Sequence, residues 1–500
     1  MACILCLVSS SALASPQAAA NSEFAAIDAY VTTRMKDLRI PGAAIGIVKD
    51  NQILYLRGFG IADPSGRPVT PETPFRLASV SKMITALAIM QLVEAGKIEL
   101  DTPVQRYLPW FRVASGASST AEESSLITVR HLLYYTSGIP QSAGNNNFFN
   151  GDLSDAALEN NVRQLDRVAL NRPVGTTYQY ANLNYDVLGL IVQSVSGQSY
   201  EAYIQEHIFT PLAMHGSFTS QGEARVQGMA TGYRQWFGFP IPVSLPDDRA
   251  TRPSSFLISN AEDLTHLLIV ELNGGRYGHS TILSSEGIAE TQRPVTPIGK
   301  TDLHSGMGME VGQVNGVYIA GKTGGTANYN ARIVLAPKDG WGVVVLANTF
   351  DIGLGSQFDT LADGIAAILV NGEVLNVPPT PIGGGNALMK FVLTGVVVFQ
   401  IVTLSRMHLT LRSASGDRRW LAQYIGIPLV LDVTLALILF LVAPSFLNTP
   451  LRFLRFFAPD IFWLTTAVVT IPLGRDILKG LLVLRMLRAT RFVRTGFFAG

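Results

Sequence analysis

Ser79 and Lys82 lie three positions apart at the start of the apolar stretch FRLASVSKMITALAIMQLVEAG (75–96). The apolar residues cover nearly every face of the predicted helix, so we expect the helix to be buried. Residues three apart share one face of a helix, which brings the Lys82 ammonium within reach of the Ser79 hydroxyl. The pair therefore predicts a nucleophile with a base beside it. An S-x-x-K pair also arises by chance, and a serine near a helix start is often only a cap.

Tyr180 and Asn182 form a second short element, in the stretch YQYANLNYDVLG (178–189). A desolvated lysine beside a second cation has a lowered pKa, so Lys82 can take or relay the serine proton. Tyr180 can do the same if Lys82 and Lys322 hold its phenol partly ionised, and the residues leave the choice of base open. In an extended loop Asn182 would face the same cleft as Tyr180, where its amide can both donate to and accept from a substrate amide.

Lys322, Thr323 and Gly324 form the third element, followed by Gly325, directly after the apolar run 317–320. This position suits the edge of a strand that lines the cleft, where glycines let a substrate approach the backbone closely. Backbone N–H groups there can form an oxyanion hole with the N–H of Ser79. Each element is weak alone, but the three in this order predict one active site.

Four stretches resemble the serine β-lactamase and penicillin-binding protein superfamily: FRLASVSK (75–82), TVRHLLYYTSGIP (128–140), YQYANLNYDVLG (178–189) and GKTGGTANYNARIVLAPKDGWGVVVLAN (321–348). The Tyr-x-Asn element is similar to that of the class C β-lactamase, D,D-peptidase and esterase branch. The resemblance runs from about residue 22 to 370. It implies an α/β (α+β) fold, in which an antiparallel sheet flanked by helices and a mainly helical subdomain enclose the cleft.

The same resemblance implies a role for each site residue. Ser79 would be the acylated nucleophile, with Lys82 and Tyr180 as proton-transfer groups. The substrate-binding groups would be Asn182, Lys322, Thr323 and Gly324, and the oxyanion hole would be the backbone N–H groups of Ser79 and Gly325. Substrates would be D-amino-acid peptides or amides, β-lactams or esters, including small molecules or peptides derived from the cell wall.

Two positions depart from the family pattern. Tyr134-Tyr135 stands where relatives commonly have Thr-His, which we interpret as a change in packing. Lys322 stands where many esterase-like relatives have histidine, and its positive charge suits a substrate carboxylate. This favours peptide or β-lactam-like substrates without excluding the others.

Other mechanisms find little support in the sequence. It contains no G-x-S-x-G, and its seven histidines have no triad context. No H-E-x-x-H or paired Cys/His spacing indicates zinc, so we expect neither a metal nor another cofactor. A membrane-tethered penicillin-binding or sensor protein that keeps the acylation pocket without turnover remains the alternative.

Charge divides the chain into two unlike parts. The formal net charge is +1, but residues 387–500 hold 13 Lys or Arg against 4 Asp, a net charge of +9. These basic residues punctuate long apolar runs instead of forming a solvated patch, which argues against nucleic acid as a partner. An acidic first part and a basic, apolar second part indicate different surroundings.

The domain organisation follows from these runs. The opening MACILCLVSSSALASPQA holds both cysteines and is typical of a secretory signal, although no basic residue precedes its apolar run and an uncleaved anchor is the alternative. We predict a signal at 1–20, the hydrolase domain at 21–371, a Pro/Gly linker at 372–386 and a transmembrane region at 387–500 with a basic tail. Its three crossings would be at about 387–404, 420–444 and 458–474.

Loop charge gives the orientation of this region. The segment 405–419 and the tail from Arg475 are rich in arginine, so the positive-inside rule places both in the cytoplasm. Three crossings then place residues 21–386 outside, in the periplasm or at the bacterial cell surface. The sequence thus predicts a multi-pass membrane protein with an extracytoplasmic hydrolase domain. Asp432, inside the second crossing, should face the interior of the helix bundle.

Overall fold

The computed structural model describes residues 16–114, 121–144, 149–378, 380, 384–412, 417–442 and 451–496. The predicted signal at 1–20 lies outside the described residues, except for residues 16–20, which begin the first helix. Parts of the predicted linker and the end of the second predicted crossing also lie outside them.

Fifteen strands occur in the described residues, and eight of them form the main sheet in the order β2-β1-β14-β13-β12-β11-β10-β9, with every neighbouring pair antiparallel. The strands are β1 Gly42–Lys49, β2 Gln52–Gly60, β3 Phe75–Arg76, β4 Tyr233–Trp236, β5 Phe239–Pro242, β6 Ile258–Ser259, β7 Arg276–Tyr277, β8 Ser280–Thr281, β9 Thr296–Pro297, β10 Leu303–Ser305, β11 Glu310–Val314, β12 Val317–Thr326, β13 Tyr329–Ala336, β14 Trp341–Ala347 and β15 Thr349–Phe350.

Sixteen α-helices occur in the same residues, and we number them in chain order. They are α1 Pro16–Leu38, α2 Ser81–Glu94, α3 Val129–Leu133, α4 Ala157–Arg163, α5 Asn182–Ser196, α6 Tyr200–Ile204, α7 Gln221–Val226, α8 Ala261–Leu272, α9 Ser285–Thr291, α10 Gly355–Asn371, α11 Ala387–Ser405, α12 Met407–Arg412, α13 Arg418–Leu421, α14 Ile427–Leu437, α15 Leu451–Phe457 and α16 Pro459–Gly496.

The central strands are buried on both faces because helices cover both sides of the sheet. Successive side chains of a strand point to opposite faces. Ile45 and Val345 pack with α1 and α10 in one core, whereas Ala44 and Val344 pack with α2 and α8 in the other. Every residue of β13 is accordingly buried. The predicted antiparallel sheet with flanking helices is confirmed.

A mainly helical subdomain is inserted between β3 and β6, and it contains α2 to α7. The helix α2 lies at its centre and is buried on nearly all sides, as the sequence predicts. The helix α5 packs against α2. Local signals explain several boundaries, since Thr128 caps α3 through a capping box and Asn260 caps α8 by accepting from the backbone N–H of Asp263.

The last part of the chain is helical, and two of its segments are long and apolar enough to cross a membrane. These are residues Ala387–Leu409 and Arg419–Val442, and their apolar side chains are largely exposed. Among the described residues, the third predicted crossing, 458–474, is not one of these two segments. It forms the first half of the 38-residue helix α16.

The helices α11 and α16 run side by side in the same direction. Asp460 pairs with Lys390, Val468 accepts from Gln400, and Arg475 donates to Thr403. The two helices are therefore in contact along most of the length of α11. The helix α14 returns alongside α16, where Asp432 faces Arg475 at 3.6 Å. Asp432 therefore faces another helix of the group, as the sequence predicts.

Candidate active site

Ser79 lies in a tight turn, Ala78–Val80, that joins β3 to α2. Ala78 has a φ of 49°, in the left-handed region that non-glycine residues rarely occupy. The turn projects Ser79 out of the buried strand, and Ser79 is the half-exposed residue between buried neighbours. The predicted nucleophile is therefore partly exposed, two residues before α2 begins.

The Lys82 ammonium is fully buried and is surrounded by three acceptors. Nζ donates to Ser79 Oγ at 3.0 Å, to Asn182 Oδ1 at 2.7 Å and to the Ser254 carbonyl at 2.6 Å. Desolvation by burial lowers the pKa of this ammonium. Its three hydrogen bonds use all three N–H donors of a protonated lysine.

Tyr180 completes a triangle with the serine and the lysine. Its hydroxyl lies 2.7 Å from Ser79 Oγ and donates to Asn182 Oδ1 at 3.2 Å. The Lys82 and Lys322 ammonium groups lie 5.0 and 5.1 Å from its ring centroid. Burial would raise the pKa of the Tyr180 phenol, but the charges of Lys82 and Lys322 outweigh this effect and hold the pKa below its usual range.

Asn182 reaches the cluster from a different local structure than expected. Instead of lying in an extended loop, it is the first residue of α5, and Ala181 before it is extended. The backbone changes from extended at Ala181 to helical at Asn182. This change, more than the alternation of side chains along a strand, brings the side chains of Tyr180 and Asn182 to Lys82.

The glycines of β12 form a close contact with the nucleophile turn. Strand β11 pairs with β12 only as far as Gly321, so the following residues have a strand neighbour, β13, on one side only. A Cβ on Gly324 would lie 2.4 Å from the Leu77 carbonyl oxygen, and one on Gly325 would lie 2.7 Å from the Phe350 ring. Only glycine allows the strand to lie this close to the serine.

Comparison with known proteins gives the family of this fold and site. The model of the family described as Beta-lactamase matches residues 27–366, more than half of the chain. The chain belongs to the β-lactamase family. This is the family that the sequence motifs resemble.

Individual relatives of this β-lactamase-family chain carry different names. Protein flp of Staphylococcus aureus (strain MW2) is 30% identical over 335 residues, which cover 64% of this chain and 62% of that protein. Esterase EstB of Burkholderia gladioli is 36% identical over 241 residues, covering 46% of this chain and 58% of EstB. This chain thus spans about three fifths of the length of these relatives.

A solved structure is similar as well. The octameric penicillin-binding protein homologue from Pyrococcus abyssi superposes with a TM-score of 0.61 at 27% identity, over 74% of this chain and 81% of that one. This similarity agrees with the antiparallel sheet and the helical subdomain described above.

Lys322 is paired within the β-lactamase-family domain, which sequence reasoning missed. Its Nζ lies 2.6 Å from Glu310 Oε1, and Arg332 lies 3.4 Å from the other oxygen of the same carboxylate. Arg332 also donates to the Thr323 hydroxyl at 2.8 Å and pairs with Asp363 at 2.9 Å. Burial would lower the pKa of Lys322, but Glu310 raises it above its usual range. The ammonium thus carries its own counter-ion.

Tyr135 supports Tyr180, the candidate catalytic tyrosine. From the sequence alone, Tyr134-Tyr135 is interpreted only as a change in packing. The ring of Tyr135 stacks on Tyr180 with centroids 5.1 Å apart and also contacts Tyr178 and Tyr185. Tyr135 is buried and has a left-handed φ of 58°. Tyr135, one of the two tyrosines that depart from the family pattern, therefore helps to fix the ring of Tyr180.

Asp186 is a second residue that sequence reasoning missed. It lies one helical turn after Asn182, is fully buried, and accepts from Asn161 Nδ2 at 3.1 Å. Burial raises the pKa of this carboxyl to about 8.

In the described part of the chain, no group of three His, Cys, Asp or Glu side chains is arranged to hold a metal ion.

Proposed function

We propose that the protein is a membrane-tethered, extracytoplasmic hydrolase that acts through an acyl-enzyme on Ser79. The observation that carries this proposal is the position of Ser79 Oγ, which is hydrogen-bonded at once to Lys82 and Tyr180. In this arrangement a base and a cation contact the nucleophile directly, so the serine can be activated without a histidine.

Tyr180 acts as the base, and Lys82 acts through its charge. Lys82 contacts three possible acceptors, an arrangement that favours the ammonium form. Two lysines near the phenol favour its ionised form, so the phenolate can accept the serine proton. The sequence leaves Lys82 and Tyr180 open as the base, and these contacts support Tyr180.

The reaction then runs in two halves. Tyr180 takes the proton of Ser79, and Oγ attacks the substrate carbonyl carbon. The backbone N–H groups of Ser79 and Gly325 stabilise the oxyanion. Tyr180 returns the proton to the leaving group as the acyl–Ser79 ester forms. Water then attacks this ester and gives a proton to Tyr180, and Tyr180 returns that proton to Ser79 Oγ as the acid leaves.

Asn182, Lys322, Thr323 and Gly324 bind the substrate beside this centre. Asn182 offers its amide N–H groups, because its Oδ1 already accepts from Lys82. The backbone of β12 from Lys322 to Gly324 lies along the cleft, where an extended substrate can pair with its free edge.

Among the predicted substrates we place esters first. The positive charge of Lys322 suits a substrate carboxylate, but Glu310 already compensates it at 2.6 Å. A neutral ester needs no such charge, and the name of the relative EstB agrees with this choice. D-amino-acid amides, β-lactams and cell-wall peptides are the competing substrates.

The membrane tether is supported by the two apolar segments and by the pairing of their neighbours. If α11 crosses the bilayer from residue 387 to 405, the first half of α16 crosses beside it. The reason is that the two helices run parallel and in contact from the Lys390–Asp460 pair to the Thr403–Arg475 hydrogen bond. Three crossings place the hydrolase domain outside the cytoplasm, as the distribution of arginines also favours.

A substrate panel on the full chain in detergent tests the activity. We expect p-nitrophenyl butyrate to be hydrolysed faster than nitrocefin, a D-Ala-D-Ala peptide or a D-amino-acid amide. Mass spectrometry should find the acyl group on Ser79, and Ser79→Ala should be inert. Acylation without product release would contradict hydrolysis, and equal labelling of Ser79→Ala by a fluorophosphonate probe would remove Ser79 as the nucleophile.

A further inference from the structure

The hairpin formed by β4 and β5 presents apolar side chains to the outside. Its sequence, YRQWFGFPIP, places Trp236 and Phe237 at the turn. Phe239 is 59% exposed and Ile241 51% exposed. We call these four residues the hairpin tip. Large apolar side chains that cluster at the end of an exposed hairpin indicate a binding surface more than chance exposure.

The hairpin tip lies where the proposed membrane helices begin. The backbone N–H of Phe237 donates to Asp460 Oδ2 at 3.0 Å, and Asp460 pairs with Lys390 at 2.7 Å. Asp460 is in the first turn of α16, and Lys390 is in the first turn of α11. Next to Lys390, Leu388 and Phe391 are 78% and 79% exposed. The tip is therefore at the same level as the lipid-facing start of the first crossing.

Two arginines lie beside this apolar surface. Arg39 donates to the Gly238 carbonyl at 2.8 Å and lies over the Phe239 ring at 4.4 Å. Arg234 donates to the backbone carbonyl of Arg455 in α15. Aromatic side chains with adjacent cations are typical of the bilayer interface, where the rings lie at headgroup depth and the guanidinium groups contact phosphates.

We propose that the hairpin tip inserts into the outer leaflet of the lipid bilayer as an additional membrane contact of the hydrolase domain. This inference rests on the proposed membrane tether. The bilayer is the occupant because the tip is joined through Asp460 to the helices that would enter it.

The contact has a consequence for the active site. Strand β4 pairs with β15 through Tyr233 and Thr349, and Phe350 of β15 lies against Gly325 of the oxyanion hole. Insertion of the hairpin tip would therefore hold the cleft at a fixed height and orientation above the membrane, which suits a substrate presented near the bilayer surface.

Fluorescence quenching by lipids tests this contact in the full chain. In a Cys3→Ala, Cys6→Ala background, Phe239→Cys carries an environment-sensitive dye in vesicles of phosphatidylethanolamine and phosphatidylglycerol. We expect a shift of its emission to shorter wavelength and a loss of intensity with lipids that carry a nitroxide near the glycerol end of the acyl chain. Leu126→Cys, 57% exposed on the helical subdomain, is the matched control and should show neither effect.

Leu388→Cys, at the start of the first crossing, separates the two ways in which the inference can fail. Quenching at Leu388 but not at Phe239 would overturn the hairpin contact and leave the membrane tether intact. Absence of quenching at both positions would overturn the tether and the contact together. A blue shift at Phe239 without lipid quenching would show that protein covers the tip, which also overturns the proposal.

Discussion

The carboxylate of Glu310 lies 2.6 Å from the Lys322 ammonium, on the side of β12 that faces the Tyr180 ring. Burial would raise the pKa of Glu310, but Lys322 and Arg332 hold it below its usual range, so the carboxylate stays charged. The positive charge next to the phenol is thus partly compensated. In the proposed mechanism, Glu310 would therefore tune both the base, Tyr180, and the charge that a substrate meets.

Glu310→Gln should change substrate preference and the pH profile together. Without the carboxylate, the field of Lys322 at Tyr180 becomes more positive, so the phenol pKa falls further. We expect the acidic limb of kcat/KM to move to lower pH, and substrates that carry a carboxylate to gain relative to p-nitrophenyl butyrate. Glu310→Asp is the control that retains the charge. A variant with both the pH limb and the substrate ratio of the wild type would rule out this role.

Tyr180→Phe and Lys82→Met should lower acylation by roughly 10²- to 10⁴-fold, the usual range for loss of a general acid–base group. The two variants should differ in their pH dependence. Tyr180→Phe loses the limb that reports the phenol, whereas Lys82→Met retains a limb shifted to higher pH because the phenol loses its neighbouring cation. Stopped-flow acylation across pH provides the measurement, with circular dichroism as the check on folding. Turnover at the wild-type rate in Tyr180→Phe would refute the assignment of the base.

Gly324→Ala should damage both stability and activity. The new Cβ would lie 2.4 Å from the Leu77 carbonyl and 2.9 Å from the Ser79 backbone nitrogen, so β12 and the nucleophile turn must separate. Overpacking of this kind costs about 1–3 kcal/mol. Gly222→Ala is a matched control, because its Cβ would meet only Ser220 Oγ at 3.5 Å. Thermal melting and ester hydrolysis of both variants test this, and an active, fully stable Gly324→Ala would contradict the described close approach.

The sequence predicts most of the site because its parts are contiguous motifs. Ser79 and Lys82 are three positions apart, and Lys322 to Gly325 share one strand, so their short separation in sequence is enough to place them together. Glu310 and Asp186 were missed because their roles come from tertiary contacts. Glu310 meets Lys322 across the register of β11 and β12, and a register between strands cannot be read from composition.

The boundaries of the helices and strands show the same difference between local sequence signals and tertiary contacts. The helix α2 and the start of β12 at Val317 agree with their predicted positions, because apolar runs delimit them. The start of α5 at Asn182 was missed because no capping side chain marks it. The pairing of α16 with α11 depends on contacts between residues about 70 positions apart, which hydropathy alone does not indicate.

Asp186→Asn should make the protein less sensitive to alkaline pH. Burial raises the pKa of this carboxyl from 3.8 to about 8, so the folded state favours the neutral form. The stabilisation is fully present below about pH 4 and is lost as the pH rises towards 8, because the unfolded chain ionises first. Asparagine stays neutral and can still accept from Asn161. The melting temperature should therefore fall less between pH 5 and pH 8 in Asp186→Asn than in the wild type, and an equal fall would contradict the raised pKa.

The number of membrane crossings decides on which side of the membrane the C-terminus lies. Two crossings leave it on the same side as the hydrolase domain, and three place it on the opposite side. With three crossings, the residues after Arg475 lie in the cytoplasm, opposite the hydrolase domain. Protease added to spheroplasts should then digest residues 21–386 and leave an epitope tag at the C-terminus intact. If α16 stays outside, α11 and the segment Arg419–Val442 form a hairpin, and the tag should be digested as well. A cytoplasmic reporter fused after α16 gives the independent reading. Because α16 runs parallel to α11 and contacts it near both ends of α11, we expect the tag to be protected and the reporter to be active.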